Sequence, residues 1–176
     1  MDFPILYSEA ERIVGGGEGS SASRLQRLCE FLREKTPHYN WFGFYIAEEG
    51  RRELFLGPFA GEPTEHTRIP FGRGICGQAA ATGEAFLVDD VSSASNYLAC
   101  SIKVKGEIVI PIFAPSTLGE PRLASHESEL APHERQLVGE IDIDSHRTYA
   151  FGEEDRAFLE RLALLVAPDV EALRLG

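Results

Sequence analysis

One cysteine stands just ahead of a strand-like apolar segment that begins with a carboxylate. Cys100 is followed by the mixed segment Ser-Ile-Lys-Val-Lys-Gly at 101–106, then by Glu107 and a β-branched run at 108–110. Because β-branched residues favour packed strands, Cys100 is predicted to lie on a loop entering a buried strand, where reactive side chains are often held. Its thiolate is then a candidate nucleophile. The alternative is that Cys100 is a small apolar filler, since cysteine is commonly buried.

Two carboxylates share one face of a second predicted strand. Asp142 and Asp144 alternate with Ile141 and Ile143 within the segment 137–145, and successive strand side chains point to opposite faces. Paired acids on one face repel each other, and their burial is costly. Either this face is exposed on an edge strand, or the two acids form a cation-binding wall or a proton donor with a raised pKa.

An aromatic pair lies on one face of an earlier strand, predicted at 41–46. Trp41, Gly43 and Tyr45 share that face by period-two alternation. The aromatic rings either pack the core or line a pocket in which Gly43 leaves room. The residues alone favour the core.

The other two cysteines have different surroundings. Cys76 falls in the first turn of a short predicted helix at 75–82, and a helix N-terminus favours a thiolate. Cys29 lies on the apolar stripe of a predicted helix at 24–35 and is interpreted as core filler.

The pattern G-x-G-x-x-G at 72–77 is not a dinucleotide site, because the helix after it is too short. No cofactor and no metal site is predicted.

Composition limits the class of protein. The chain has 176 residues, and 28 acidic against 17 basic side chains give a net charge of −11, which argues against nucleic acid and anionic membranes as partners. An acidic pocket for a cationic or zwitterionic small molecule is compatible with this charge. The chain shows no apolar run of membrane-spanning length and no signal peptide, so we expect one cytoplasmic domain, 1–176, with reduced thiols.

The periodicities predict an α+β fold in which a central antiparallel sheet is flanked by N-terminal and C-terminal helices. A proline-rich insertion is expected at 114–136, and its His126, Glu129 and His133 are interpreted as solvated loop residues. The predicted helices are 5–14, 24–35, 75–82 and one starting at 151; the predicted strands are 41–46, 54–56, 67–69, 85–88, 107–113 and 137–145, with a loop at 57–61.

Six motifs occur together and in one order: 41–45 (Trp-Phe-Gly-Phe-Tyr), 57–59 (Gly-Pro-Phe), 68–77 (Arg-Ile-Pro-Phe-Gly-Arg-Gly-Ile-Cys-Gly), 99–100 (Ala-Cys), 107–109 (Glu-Ile-Val) and 142–145 (Asp-Ile-Asp-Ser). This set resembles the GAF-domain family of free methionine-(R)-sulfoxide reductases. The likeness runs from about residue 5 to residue 170, apart from the insertion, and it implies a GAF-like fold.

The resemblance implies a thiol mechanism. Cys100 matches the nucleophile that takes the sulfoxide oxygen and becomes a sulfenic acid. A second cysteine then forms a disulfide with it, which thioredoxin reduces. The family has a cysteine where this chain has His66, so Cys76, which matches the family's remaining cysteine, is the expected resolving residue.

The resemblance also implies a binding site. Glu107, Asp142 and Asp144 match the carboxylates that hold the substrate's amino group, and Trp41 and Tyr45 match the aromatic wall around its methyl end. The implied partners are free methionine-(R)-sulfoxide, thioredoxin and a second copy of the chain in a homodimer. The alternative is a non-catalytic GAF domain that binds a small molecule or senses redox state.

Overall fold

A computed structural model describes residues 2–16, 19–93, 103–115 and 136–176. Within them the chain forms four α-helices and six strands, with short 3-10 turns at Glu49–Arg51 and Val91–Ser93. In chain order the elements are α1 (Phe3–Gly15), α2 (Ser21–Lys35), β1 (Trp41–Glu48), β2 (Glu53–Ala60), β3 (Arg68–Pro70), α3 (Gly74–Thr82), β4 (Phe86–Val88), β5 (Gly106–Phe113), β6 (Leu137–Ser145) and α4 (Glu153–Leu175).

The six strands form one sheet in the order β3-β2-β1-β6-β5-β4, and the paired strands are antiparallel. The last strand of the chain, β6, therefore lies in the centre, between β1 and β5. The predicted α+β class with an antiparallel sheet and flanking helices is confirmed.

The sheet separates two apolar clusters. On one face, the even-numbered residues of β1 and β5, such as Phe44 and Ile110, pack with the buried stripes of α1, α2 and α4. On the other face, Trp41 and Tyr45 pack with α3 and residues of β2 and β3. Only α3 among the described helices covers this second face.

Cys29 belongs to the helix face. It is fully buried on α2, its Sγ lies 3.5 Å from the Pro58 carbonyl oxygen, and burial raises the pKa of its thiol well above the usual range. Its three stripe neighbours, Leu25, Leu28 and Leu32, are equally buried. The prediction that Cys29 is a core residue is confirmed.

The strand β2 continues through a segment that the sequence predicts to be a loop. Residues 57–60 belong to β2, although Gly and Pro are common turn residues. The register with β1 shifts between Gly43 and Tyr45, so that β2 carries an extra residue at that point. A bulge of this kind removes one residue from the hydrogen-bond ladder, which lets Pro58 lie in a strand without an N–H to donate. The predicted loop at 57–61 is wrong except at Gly61.

Most of the predicted insertion at 114–136 lies outside the described residues, including His126, Glu129 and His133. At its two ends the Ala114 N–H donates to the Gln136 carbonyl oxygen at 2.8 Å. None of the helices in the described part of the chain is both long and apolar enough to cross a membrane.

Candidate active site

Helix α3 places Cys76 over the sheet. The helix ends at Gly83, whose positive φ of 72° suits glycine at a left-handed cap. Near its start, Cys76 is 5% exposed, and its Sγ lies 3.7 Å from Glu107 Oε1 on β5. One ligand atom each of Cys76, Glu107 and Asp142 lies within 4.8 Å of the others. Two predicted site acids and the predicted resolving thiol therefore meet at one point.

Four carboxyl groups lie buried on the α3 face: Glu107 on β5, and Glu140, Asp142 and Asp144 on β6. The strand register aligns Asp144 between Trp41 of β1 and Glu107 of β5. Because β6 is a central strand, its acids cannot be exposed on a sheet edge, and that alternative is wrong. Both acids are buried instead, and a cation-binding or proton-donating role for them stays a prediction.

Burial is the largest cause that raises the pKa of these four acids. It raises the pKa of Asp142 to about 7, and the pKa values of the other three rise well above their usual range with further help from neighbouring carboxyls. The Cys76 thiol lowers the pKa of Glu107, Glu140 and Asp142, but less than burial raises it. No lysine, arginine or histidine in the described part of the chain contributes to these shifts. Among the described residues, no basic side chain offsets the burial of these acids, so the protonated form of the carboxyls is favoured.

The sequence prediction missed Glu140. Its side chain is fully buried, and neither of its carboxylate oxygens has a hydrogen-bond partner among the described residues. Its register partners are Tyr45 on β1 and Pro111 on β5. The same period-two alternation that relates Asp142 to Asp144 also places Glu140 on this face, so the signal was available in the sequence.

We expect Glu140→Gln to stabilise the protein at pH 8 and to have little effect at pH 4. The folded-state pKa of Glu140 is raised, so Glu140 does not destabilise the folded state below the unfolded pKa of about 4.3. Above that pH, the destabilisation grows by up to about 1.4 kcal/mol per pH unit until the pH reaches the folded pKa. Thermal unfolding across this range tests the prediction, with the exposed Glu84→Gln as control. An equal change in melting temperature at both pH values would contradict it.

An aromatic wall stands beside the carboxyl groups. The Trp41 ring stacks on Phe59, with centroids 5.5 Å apart, and on Tyr45, with centroids 6.3 Å apart. Trp41 Nε1–H donates to the Glu62 carbonyl oxygen at 3.1 Å, and the Tyr45 hydroxyl donates to the His66 carbonyl oxygen at 2.8 Å. These bonds fix both rings.

Gly43 allows the Trp41 ring to lie flat on β1. A Cβ at this position would stand 2.6 Å from Trp41 Cζ3 and 2.8 Å from Phe59 Cβ, closer than real contacts allow. We expect Gly43→Ala to lower the free energy of unfolding by about 1–3 kcal/mol through overpacking. Urea unfolding measures the change, and Gly50→Ala, where a Cβ meets nothing within 4 Å, is the control. Equal stability of the two variants would contradict this account of Gly43.

A cavity of about 90 Å³ opens next to this wall and reaches Asp144. Trp41 lines it, whereas the fully buried Tyr45 is not among its described lining residues. The basic side chains of Arg33 and His146 lie at its rim. Acid, aromatic ring and basic rim together suit a small zwitterion.

The predicted nucleophile Cys100 lies outside the described residues. The first described residue after it, Lys103, forms an ion pair with Glu62 and is about half exposed. His66, at the position of the family cysteine, is half-buried, and its N–H donates to Thr64 Oγ1 at 3.1 Å.

A larger cavity, of about 810 Å³, lies between β5 and α4. Its described lining contains no cysteine. Of its charged residues Glu84, Arg156 and Glu160, the last two pair with each other at 2.8 Å. The thiol and the buried acids of the site described above are not among its lining residues.

The class of protein follows from a family comparison. Residues 22–168 match the model of the GAF domain, in agreement with the central antiparallel sheet and its flanking helices. Protein YtsP of Bacillus subtilis is 32% identical over 162 residues, which cover 92% of this chain and 86% of that protein.

Named relatives narrow the class. The free methionine-R-sulfoxide reductase of Saccharomyces cerevisiae is 35% identical over 167 residues, covering 89% of this chain and 82% of the yeast protein. The structure of the free methionine-R-sulfoxide reductase of Neisseria meningitidis in complex with its substrate has 31% identity and a TM-score of 0.79, covering 98% of this chain and 90% of that one. This chain belongs to the GAF-domain family of free methionine-R-sulfoxide reductases.

Proposed function

We propose that this protein reduces free methionine-R-sulfoxide to methionine by thiol chemistry. The observation that carries the proposal is the group of buried carboxyls that lies in register with the aromatic wall. The similarity to relatives named free methionine-R-sulfoxide reductase supports the same substrate for this chain.

The buried acids account for recognition of the free amino acid. An α-ammonium group brings a positive charge and can donate charge-assisted hydrogen bonds to Asp144, Asp142 and Glu107. Trp41 offers an apolar surface for the thioether end. Arg33 and His146 at the cavity rim suit the substrate carboxylate. A methionine sulfoxide within a peptide has no α-ammonium, so we expect it to be excluded.

In the reductive step, the Cys100 thiolate attacks the sulfoxide sulfur. A protonated carboxyl, Glu107 or Asp142, donates a proton to the oxygen, and the raised pKa values keep such a proton available near neutral pH. The oxygen passes to the cysteine, methionine leaves, and Cys100 is a sulfenic acid. Sulfur in the substrate is reduced by two electrons, and sulfur in Cys100 is oxidised by two.

In the second step, the Cys76 thiol attacks the Cys100 sulfenic sulfur, and water leaves as the disulfide forms. What supports this role is the contact of Cys76 with Glu107, the carboxyl proposed to protonate the sulfoxide oxygen. A thioredoxin dithiol then supplies two electrons and two protons. We propose a reducing compartment such as the cytoplasm, because the mechanism needs thiols that are reduced between turnovers. We further propose that the chain is one domain and works as a homodimer.

A second candidate function is a non-catalytic ligand-binding or redox-sensing GAF domain. The observation that favours it is His66, which stands where the family has a cysteine. If this candidate is correct, calorimetry should detect binding of free methionine-R-sulfoxide, and the reductase assay should detect no turnover.

The test is reduction of free methionine-R-sulfoxide with thioredoxin, thioredoxin reductase and NADPH, with the N-acetylated substrate in parallel. We expect turnover of the free substrate only. We also expect Cys76→Ser to release about one equivalent of methionine per chain and then stop, because its sulfenic acid has no resolving thiol. Cys29→Ala is the control for loss of a buried thiol. Unchanged steady turnover in Cys76→Ser would remove Cys76 from the mechanism, and no turnover by the wild type, even with dithiothreitol, would favour the second candidate.

A further inference from the structure

We propose that the reduced site binds a zinc ion through Cys76, Glu107 and Asp142. The three side chains come from α3, β5 and β6, and their ligand atoms lie within 4.8 Å of one another. All three are at least nine-tenths buried, so they form a site built into the fold and not a surface cluster.

The separation of sulfur and oxygen fits zinc. With a Zn–S bond of about 2.3 Å and a Zn–O bond of about 2.0 Å at a tetrahedral angle, the two ligand atoms stand about 3.5 Å apart. Cys76 Sγ and Glu107 Oε1 are 3.7 Å apart. A change of about 0.2 Å in this separation reaches the value expected for zinc.

Unsatisfied oxygens point to a missing cation. Asp142 Oδ1, Asp144 Oδ1 and both oxygens of Glu140 are buried without a hydrogen-bond partner among the described residues. Buried polar atoms normally have partners, and an unmet one commonly marks the place of an ion or water. Asp144 and Glu140 lie on the same face of β6 as Asp142, so either can supply a fourth oxygen.

The ligand set selects zinc over the common hard cations. Magnesium and calcium take oxygen ligands, whereas a thiolate is a soft ligand that zinc accepts readily. Binding requires the Cys76 thiol and the protonated carboxyls to lose protons. Two positive charges then offset a group of negative charges that no basic side chain in the described residues meets.

Zinc in this position inhibits the reductase, an inference that rests on the proposed function. The metal occupies the acids that hold the substrate ammonium, and it ties up the sulfur of the resolving cysteine. Zinc binding and methionine binding therefore exclude each other. The oxidised protein, in which Cys76 is in a disulfide, loses the metal site.

The first experiment measures metal binding directly on the reduced full-length protein. Co²⁺, a spectroscopic substitute for zinc, is expected to give a sulfur-to-cobalt charge-transfer band that Zn²⁺ then displaces. The band should persist in Cys29→Ala and vanish in Cys76→Ser. Asp142→Asn, which keeps the side-chain shape, should weaken Zn²⁺ binding at least about tenfold, and Mg²⁺ should not compete. A band that survives in Cys76→Ser, or equal Zn²⁺ affinity in Asp142→Asn, would overturn the assignment.

The second experiment separates the metal site from the proposed function. Calorimetry in buffers of different ionisation enthalpy should show release of more than one proton per Zn²⁺ at pH 7. Free methionine should raise the apparent zinc dissociation constant in proportion to its concentration, while N-acetylmethionine should not. Zinc binding without competition by methionine would support the metal site and would show that the substrate ammonium does not bind to these acids. No zinc binding, with turnover intact, would remove the metal site and leave the reductase in place.

Discussion

A Cys100→Ser variant is expected to lose the reduction of free methionine-R-sulfoxide, with kcat/KM lower by at least about 10³-fold. Serine has nearly the same shape, but its hydroxyl is a far weaker nucleophile than a thiolate and cannot accept the sulfoxide oxygen. The measurement is methionine formed from the sulfoxide with dithiothreitol as reductant, which removes any dependence on thioredoxin. In the Cys76→Ser background, where the sulfenic acid persists, dimedone should label the protein after one turnover, and addition of Cys100→Ser should abolish the label.

Cys29→Ala is the matched control, since Cys29 lies on the helix face of the sheet and is packed against Pro58. It should keep the wild-type kcat/KM even if its melting temperature falls. If Cys100→Ser retains more than a tenth of the wild-type kcat/KM, Cys100 is not the nucleophile.

A large loss of kcat/KM is also expected for the Asp144→Asn variant. Removal of one charge of a buried pair leaves the other charge uncompensated, which costs about 3–5 kcal/mol. We therefore expect kcat/KM for the free substrate to fall by about 10²-fold to a few thousand-fold, at 1.4 kcal/mol for each factor of ten. The loss arises only when the substrate brings its ammonium to the buried acid.

The same substitution should stabilise the protein without substrate at pH 8. The pKa of Asp144 is raised by burial and by Asp142, so its ionisation opposes folding above the unfolded pKa and has no effect below it. Lower activity with a higher melting temperature distinguishes a binding role from a structural one. Asp2→Asn, on the helix cap of α1, is the control, because Asn caps a helix as well as Asp does. A parallel fall of activity and stability at pH 8 would contradict the ammonium role.

Local periodicity was sufficient for most of the elements. Strand β6 has the predicted bounds 137–145, and the stripe of α2 is buried as its spacing requires. Period-two alternation also placed Asp142 and Asp144 on one face. These features depend on neighbouring residues only, so the sequence contains them in full.

Features that depend on distant partners were not predictable. The sequence cannot tell whether β6 is central or at an edge, because that depends on pairing with β1 and β5, far away in the chain. The meeting of Cys76 with Glu107 and Asp142 depends on how α3 crosses the sheet. Pro58 in a strand depends on a bulge opposite β1. Each of these is set by tertiary packing and not by local propensity.

The central position of β6 also determines when this protein can first become active during its synthesis. Trp41 pairs with Asp144, and Glu107 pairs with the same residue from the other side. A nascent chain that has left the ribosome only as far as β5 holds two halves of a sheet with a gap between them, and nearly all acids of the site are still missing. Contacts between such distant positions fold slowly. The nascent chain therefore gains its binding site in a single late event, when the final strand enters the gap.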